Sequence, residues 1–194
     1  MEISAHTILN TEFGPFNMAV FVDAKAREHA ALGMGNISTD EPVLTRVQSE
    51  CITGEVFHSV HCECRAQLDA AMKIISENGR GLLIYLRQEG RDIGLTNKIK
   101  AYELQRQGMD TIEANLQLGF PADARHYGVA QEILQELGVK KIKLLTNNPD
   151  KIAQLEDLGI EITERISLEI TPNGFDNNYL QVKKDKMGHL LTQI

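Results

Sequence analysis

The chain has 194 residues, 42% of them hydrophobic, which is enough for one substantial core and gives no reason to divide it into independent domains. Its net charge of −7 argues against general nucleic-acid binding, because phosphate backbones are held by broad faces of Lys and Arg, but a local basic pocket could still take a small polyanion. No export signal opens the sequence and no window nears the roughly 18 apolar residues of a membrane span, so a cytoplasmic protein without membrane contact is expected.

Residues 1–40 read as a β meander, with strands at His6–Leu9, Asn17–Val22 and His29–Met34 bounded by Gly, Pro or Asp. Val43–Val47 is a further strand that delivers Arg46 and then Ser49-Glu50-Cys51 into a loop. From Cys62 to Asn78 the apolar positions Leu68, Met72 and Ile75 follow helical spacing, and Gly79 supplies a left-handed stop. Gly81–Leu86 is a continuous apolar run, as expected of a strand buried on both faces. It ends at Arg87-Gln88-Glu89-Gly90-Arg91-Asp92-Ile93-Gly94, a polar loop at the C-terminal end of a strand, where α/β folds place their chemistry.

Leu95–Gln107 reads as a helix with Leu95, Ile99, Tyr102 and Leu104 near one face, Tyr102 being most simply a core aromatic. Thr111–Leu118 can be read either way, and residues 120–125 form a turn into the next helix, where Asp123 could be no more than an N-cap. An amphipathic helix follows from Tyr127 to Leu137, closed by Gly138, then a buried strand Ile142–Leu145, the loop Thr146-Asn147-Asn148-Pro149, and a helix carrying Ile152, Leu155 and Leu158. Ile160–Thr163 and Ile166–Ile170 look like edge strands, and the tail from Asn177 is polar with lysines at 183, 184 and 186. The expectation is an α/β fold, a single domain with a mixed β-sheet flanked by helices and an N-terminal β meander: a β-rich part over about 1–47, an α/β part over about 48–170 and a polar tail over about 171–194.

All three cysteines lie at Cys51-x10-Cys62-x-Cys64. In a reducing compartment they stay unpaired, and such clustering favours a metal over small buried thiols. A zinc ion takes thiolates at about 2.3 Å, and three protein ligands leave a fourth position for water, the arrangement of a catalytic site. His58 and His61 flank the pair, so a closed four-ligand structural site stays open as an alternative. Cys62 and Cys64 sit at a helix start, where free N–H groups and the positive dipole end favour thiolate.

Six separated blocks together closely resemble the GTP cyclohydrolase II family: Arg46-x-x-Ser49-Glu50-Cys51-x-Thr53-Gly54, Cys62-x-Cys64-x-x-Gln67-Leu68, Arg87-Gln88-Glu89-Gly90-Arg91, Ala101-Tyr102, Ala122-Asp123-x-Arg125 and Leu145-Thr146-Asn147-Asn148-Pro149-x-Lys151. The likeness runs from about Pro42 through the Lys186-Met187-Gly188-His189-Leu190 tail. It implies a homodimer that opens the guanine imidazole ring of GTP, releasing formate and pyrophosphate, with one Zn²⁺ per chain and Mg²⁺ on the triphosphate. The product would be the diaminopyrimidine that begins riboflavin synthesis. At this length no fused dihydroxybutanone-phosphate synthase domain is expected.

The resemblance makes Cys51, Cys62 and Cys64 the zinc ligands. It places GTP contacts at Arg46, Val47, Gln48, Ser49, Glu50, Gln67, Glu89, Gly90, Arg91, Thr111, Thr146 and Lys151. Asp123 becomes the proton acceptor, Arg125 the nucleophile toward phosphate, and Tyr102 an active-site tyrosine. A guanidinium has no free lone pair, so an electrostatic clamp is the easier physical account of Arg125. The Glu89 carboxylate is expected to read guanine through N1–H and the 2-amino group. Gln48 stands where the family usually has His, His61 where it has Arg and Arg65 where it has Gly. These departures leave a catalytically altered or silent GTP-binding paralogue as the alternative.

Overall fold

The structure, a computed structural model, describes residues 1–171 and 177–192. Among these residues seven strands form one mixed sheet: β1 (Ile3–Thr11), β2 (Gly14–Val22), β3 (Glu28–Met34), β4 (Val43–Ser49), β5 (Gly81–Leu86), β6 (Lys141–Leu145) and β7 (Glu161–Ile166), in the order β1-β2-β3-β5-β4-β6-β7. The first three are the expected antiparallel meander, and β3 pairs antiparallel with β5. From β5 onward neighbouring strands are parallel. The meander is therefore one wing of the sheet rather than a separate layer.

The helices are α1 (Ile52–Glu55), α2 (Cys64–Asn78), the single turn α3 (Glu89–Asp92), α4 (Gly94–Arg106), α5 (Thr111–Gln117), α6 (Gly128–Glu136), α7 (Pro149–Asp157) and α8 (Asn177–Met187). The two-residue period of β5 sends Leu82, Ile84 and Leu86 to one face, against Ala130, Ile133 and Leu134 of α6 and Leu155 of α7. Leu83 points to the other face, with Ala71 and Ile75 of α2. The continuous apolar run is thus a strand buried on both sides, as expected.

Local chemistry fixes the helix ends near the cavity. Gly79 adopts φ +69 at the end of α2. Asp110 caps α5 through the Ile112 and Glu113 N–H groups while Glu113 returns a bond to Asp110 N–H, and such a cap stabilises by about 1 kcal/mol. This resolves Thr111–Leu118 as a helix. Asn148 caps α7, with Pro149 in its first turn.

Three expectations need correction. Residues 166–170 do not continue as a strand beyond Ile166, because the Asn147 side chain takes the place of a strand partner: it accepts from Leu168 N–H at 3.2 Å and donates to the Leu168 carbonyl at 2.9 Å. The polar tail contains a helix, α8, within which Lys183 is buried. In α4, Leu95 and Ile99 are 41% and 49% exposed, so the helix shows its apolar side outward while Lys98 and Ala101 are buried. Among the described residues no helix is long and apolar enough to cross a membrane.

Candidate functional site

Parallel pairing sets Ser49 of β4 beside Leu86 of β5, and Glu50 N–H donates to the Leu86 carbonyl at 2.8 Å. The segments leaving β4, β5 and β6 therefore emerge together at one edge, over a cavity of about 820 Å³. Alternation along β4 turns Arg46 and Gln48 into that cavity and sends Val47 into the α6 core. Val47 thus offers the site its carbonyl, which accepts from Lys151 Nζ at 2.6 Å.

The three cysteine sulfurs lie within 4.8 Å of one another, with Cys51 Sγ and Cys62 Sγ 3.7 Å apart. Sulfurs bound at about 2.3 Å to a tetrahedral zinc stand about 3.8 Å apart, so this donor set fits the ion. Gly54 makes room for it: a Cβ there would meet Cys62 Sγ at 2.8 Å and Cys51 Sγ at 3.3 Å. As thiols the three share protons. The Cys51 thiolate accepts from Cys62 and Cys64 and is held well below the ordinary thiol value, while those two are pushed above it. Neither flanking histidine belongs to the cluster. His58 Nε2 meets Arg65 at 3.0 Å, and the His61 ring stands 5.8 Å from that of Tyr102, so among the described residues no fourth His, Cys, Asp or Glu donor joins the three sulfurs.

Lys98 reaches this centre from α4, with Nζ 3.1 Å from Cys51 Sγ and 2.7 Å from Glu89 Oε1. Glu89 also accepts from Gly90 N–H at 2.8 Å and, through Oε2, from Ile52 N–H at 2.6 Å. It anchors an unusual turn in which Gly90, Arg91 and Asp92 have φ of 64, 60 and 69. For a non-glycine residue this conformation costs about 1 to 2 kcal/mol. Part of what holds it comes from the meander: Arg27 donates to Asp92 at 2.7 Å and to the Arg87 carbonyl at 3.3 Å, while Asp23 grips Arg27 at 2.7 Å. The turn aims Arg91 across the cavity, where it donates to the Ala122 carbonyl at 3.0 Å.

Tyr102 lies at the metal loop rather than in the core. Its hydroxyl is 3.4 Å from Thr53 Oγ1, itself 3.7 Å from Cys51 Sγ, and burial pushes its pKa up to about 12.

The opposite wall is cationic. Arg46 is buried, donating to Gln48 Oε1 at 2.9 and 2.7 Å, to Gln67 at 2.9 Å and to the Leu145 carbonyl at 3.0 Å; burial lowers its pKa to about 10. Burial, then Arg46 and Arg125, push Lys151 well below the usual amine range. Asp123 pairs with Arg125 through bonds of 2.9 and 3.1 Å to its Nε; burial opposes ionisation, but the guanidinium prevails and keeps the carboxyl low. Arg125 lines the cavity and Asp123 sits behind it.

The site residues proposed from sequence otherwise line this one cavity: Gln48, Ser49, Glu50, Gln67, Gly90, Thr111 and Thr146 together with the cysteines, Tyr102 and the cations. Two of the three departures are absorbed by internal bonds, and the side chain of the third, His61, makes a ring contact with Tyr102. Gln48 Nε2 donates to Glu55 at 2.9 Å, and Arg65 donates to the Glu55 carbonyl at 3.1 Å.

Sequence reasoning missed Lys98 and the contribution of α8. Lys183 pairs with Glu63 at 2.9 Å, and Lys186 pairs with Asp110. His189 lines the cavity with Nε2 buried and without a hydrogen-bond partner among the described residues. The basic run in the tail was the available signal.

The sequence model of the GTP cyclohydrolase II family matches residues 2–167. The GTP cyclohydrolase-2 of Neisseria gonorrhoeae is 54% identical over 185 residues, 95% of this chain and 94% of that protein. The riboflavin biosynthesis protein RibBA of Aquifex aeolicus is 52% identical over 189 residues, 96% of this chain and 46% of that one. A solved structure of RibBX, a two-domain 3,4-dihydroxy-2-butanone 4-phosphate synthase from A. baumannii, aligns at TM-score 0.48 and 19% identity over 87% of this chain and 40% of its own.

Proposed function

The chain belongs to the GTP cyclohydrolase II family, and from that premise we propose that it hydrolyses GTP with ring opening at the guanine imidazole, releasing formate and pyrophosphate and yielding the diaminopyrimidine that enters riboflavin synthesis. The carrying observation is that a sulfur triad of zinc-binding dimensions and a wall of Arg and Lys face the same cavity. Zinc, when held by Cys51, Cys62 and Cys64, supplies Lewis acidity and an acidified water for attack at the purine C8.

The remaining roles fall to side chains. Arg46, Arg91, Arg125 and Lys151 receive the triphosphate with its magnesium, the local positive charge an acidic chain needs for a polyanion. Burial, then Arg46 and Arg125, hold the Lys151 amine low; an entering phosphate counters those cations and favours the proton, so Lys151 suits a phosphate contact. Asp123 is ionised and serves as proton acceptor, while Arg125, fixed by it, acts as a clamp on the α-phosphate. Tyr102 orients the group undergoing hydrolysis, and Glu89 contacts guanine.

A homodimer is supported by the apolar side chains left exposed around the metal loop and α4, among them Phe57 at 70% and Ile99 at 49%. One continuous sheet supports treating residues 1–194 as a single domain. The bonds that absorb Gln48 and Arg65 give no support to a silent paralogue, and His61 lines the same cavity beside Tyr102. Mass spectrometry of the products formed from GTP with zinc and magnesium tests the reading. Formate, pyrophosphate and the diaminopyrimidine are expected, and nucleotide recovered intact would reject it.

A further inference from the structure

The amine of Lys98 is buried, with the side chain 10% exposed, and it contacts two acceptors that belong to different parts of the site. One is the Glu89 carboxylate of the α3 turn, at 2.7 Å, and the other is Cys51 Sγ, at 3.1 Å. The family resemblance assigns it no role. Three thiolates outweigh a divalent ion by one negative charge, and an uncompensated charge in a largely buried site is costly. An ammonium beside the donor set removes that imbalance. Its N–H also draws electron density from Cys51 sulfur, so the thiolate neutralises the ion less and leaves it a harder acid toward the substrate. Outer partners that orient a ligand tune metals in this way.

We propose that Lys98 is a positioning residue of the metal centre: held by Glu89, it hydrogen-bonds Cys51, balances the three-thiolate donor set and keeps the bound ion Lewis-acidic. The inference rests on reading the cysteine triad as a metal site. It also gives Glu89 a second task, since the same carboxylate fixes Ile52 N–H beside Cys51 at 2.6 Å. The turn that carries Gly90 and Arg91 is thereby tied to the sulfur that faces the ion. A shift of this turn on nucleotide entry would move the ammonium against Cys51.

The test replaces zinc with cobalt(II) and reads the sulfur-to-cobalt charge-transfer band of wild type, Lys98→Met and Lys98→Arg, alongside zinc content and ring opening. A thiolate that loses its hydrogen bond gives up an electron more easily. The band therefore shifts to longer wavelength in Lys98→Met and returns toward the wild-type position in Lys98→Arg. With zinc still near one per chain, ring opening in Lys98→Met falls by about 10- to 100-fold, the range for lost outer partners of a metal ligand. Where Lys98→Met does not fold, Lys98→Gln carries the same expectation with a smaller shift. A wild-type band in the neutral variant overturns the proposal, and so does an equal shift in Lys98→Arg, which would report packing alone. A wild-type protein with no thiolate–cobalt band overturns the metal reading itself, a result distinct from an unshifted band.

Discussion

Lys183 of α8 forms a buried ion pair at 2.9 Å with Glu63, the residue between two of the three clustered cysteines. The end of the chain is thereby fastened to the metal loop, and Glu63 accepts from Gln67 at 2.8 Å through the same oxygen. Removing one partner of a buried pair leaves the other charge uncompensated, at a cost of about 3 to 5 kcal/mol. Lys183→Met is expected to destabilise by about 3 kcal/mol, with Glu63→Gln in the same chain recovering most of it. Denaturant unfolding of the two single variants and the double measures this. A loss under about 1 kcal/mol in Lys183→Met would show that the pair is solvated.

The contrast between α8 and β5 shows what the sequence could reveal. Gly81–Leu86 is legible because its apolar run reflects burial on both faces, and the cysteines are legible because metal geometry needs them close. The α8 segment has no apolar stripe. Among its described side chains, Lys183 and Lys186 pair with Glu63 and Asp110, partners far away in sequence. Leu95 and Ile99 misled for the opposite reason, since helical spacing gives a face but not the side it turns to. The left-handed backbone at Arg91 and Asp92 was unreadable, because it is imposed from outside by Arg27 and Glu89.

His189 makes the fold sensitive to mild acid. Burial, then Lys183, Arg125, Arg91 and Lys151, depress its pKa to about 3, and burial also lowers that of His29. An unfolded histidine titrates near about 6.5. Above that pH neither state binds the proton and the group contributes nothing. As pH falls below it, the unfolded chain gains a proton that the folded chain refuses, so stability drops progressively toward the folded value. Melting temperature is expected to fall between pH 7.5 and 5, and His189→Gln should reduce the fall, leaving the part due to His29. Saturating GTP, by countering the same cations, should shrink it too. Equal losses in wild type and His189→Gln would remove His189 from this account.

Tyr102 stands close to the sulfur centre, and under the proposed reaction it acts on the hydrolysis that releases formate once the imidazole ring is open. Its hydroxyl meets Thr53 at 3.4 Å, and Lys98 Nζ lies 5.7 Å from its ring centroid. Tyr102→Phe keeps the ring and deletes the hydroxyl. Formate release should slow more than disappearance of the guanine chromophore, both followed in the same reaction. Equal slowing of the two would return Tyr102 to a packing role.

Glu89 has donors on both carboxylate oxygens: Lys98 Nζ and Gly90 N–H on Oε1, and Ile52 N–H on Oε2. An ionised carboxylate offers about four acceptor positions. One on Oε2 thus stays open, enough for a single guanine donor and too few for both N1–H and the 2-amino group. If the 2-amino group takes it, inosine triphosphate, which lacks that group, leaves the position unfilled. A site built around a substrate N–H can reject an analogue without it by up to roughly 10⁴-fold, and with one bond at stake the preference should lie well below that ceiling. Wild type is expected to favour GTP over inosine triphosphate in kcat/KM. Glu89→Ala should lower turnover of both nucleotides, through loss of the hold on Lys98 and Ile52, and also narrow the ratio between them. The two effects separate in one set of measurements, because a scaffolding role lowers both rates by the same factor and a reading role changes their quotient. An unchanged quotient with lower rates would assign Glu89 to the metal loop alone and leave guanine to another group in the cavity.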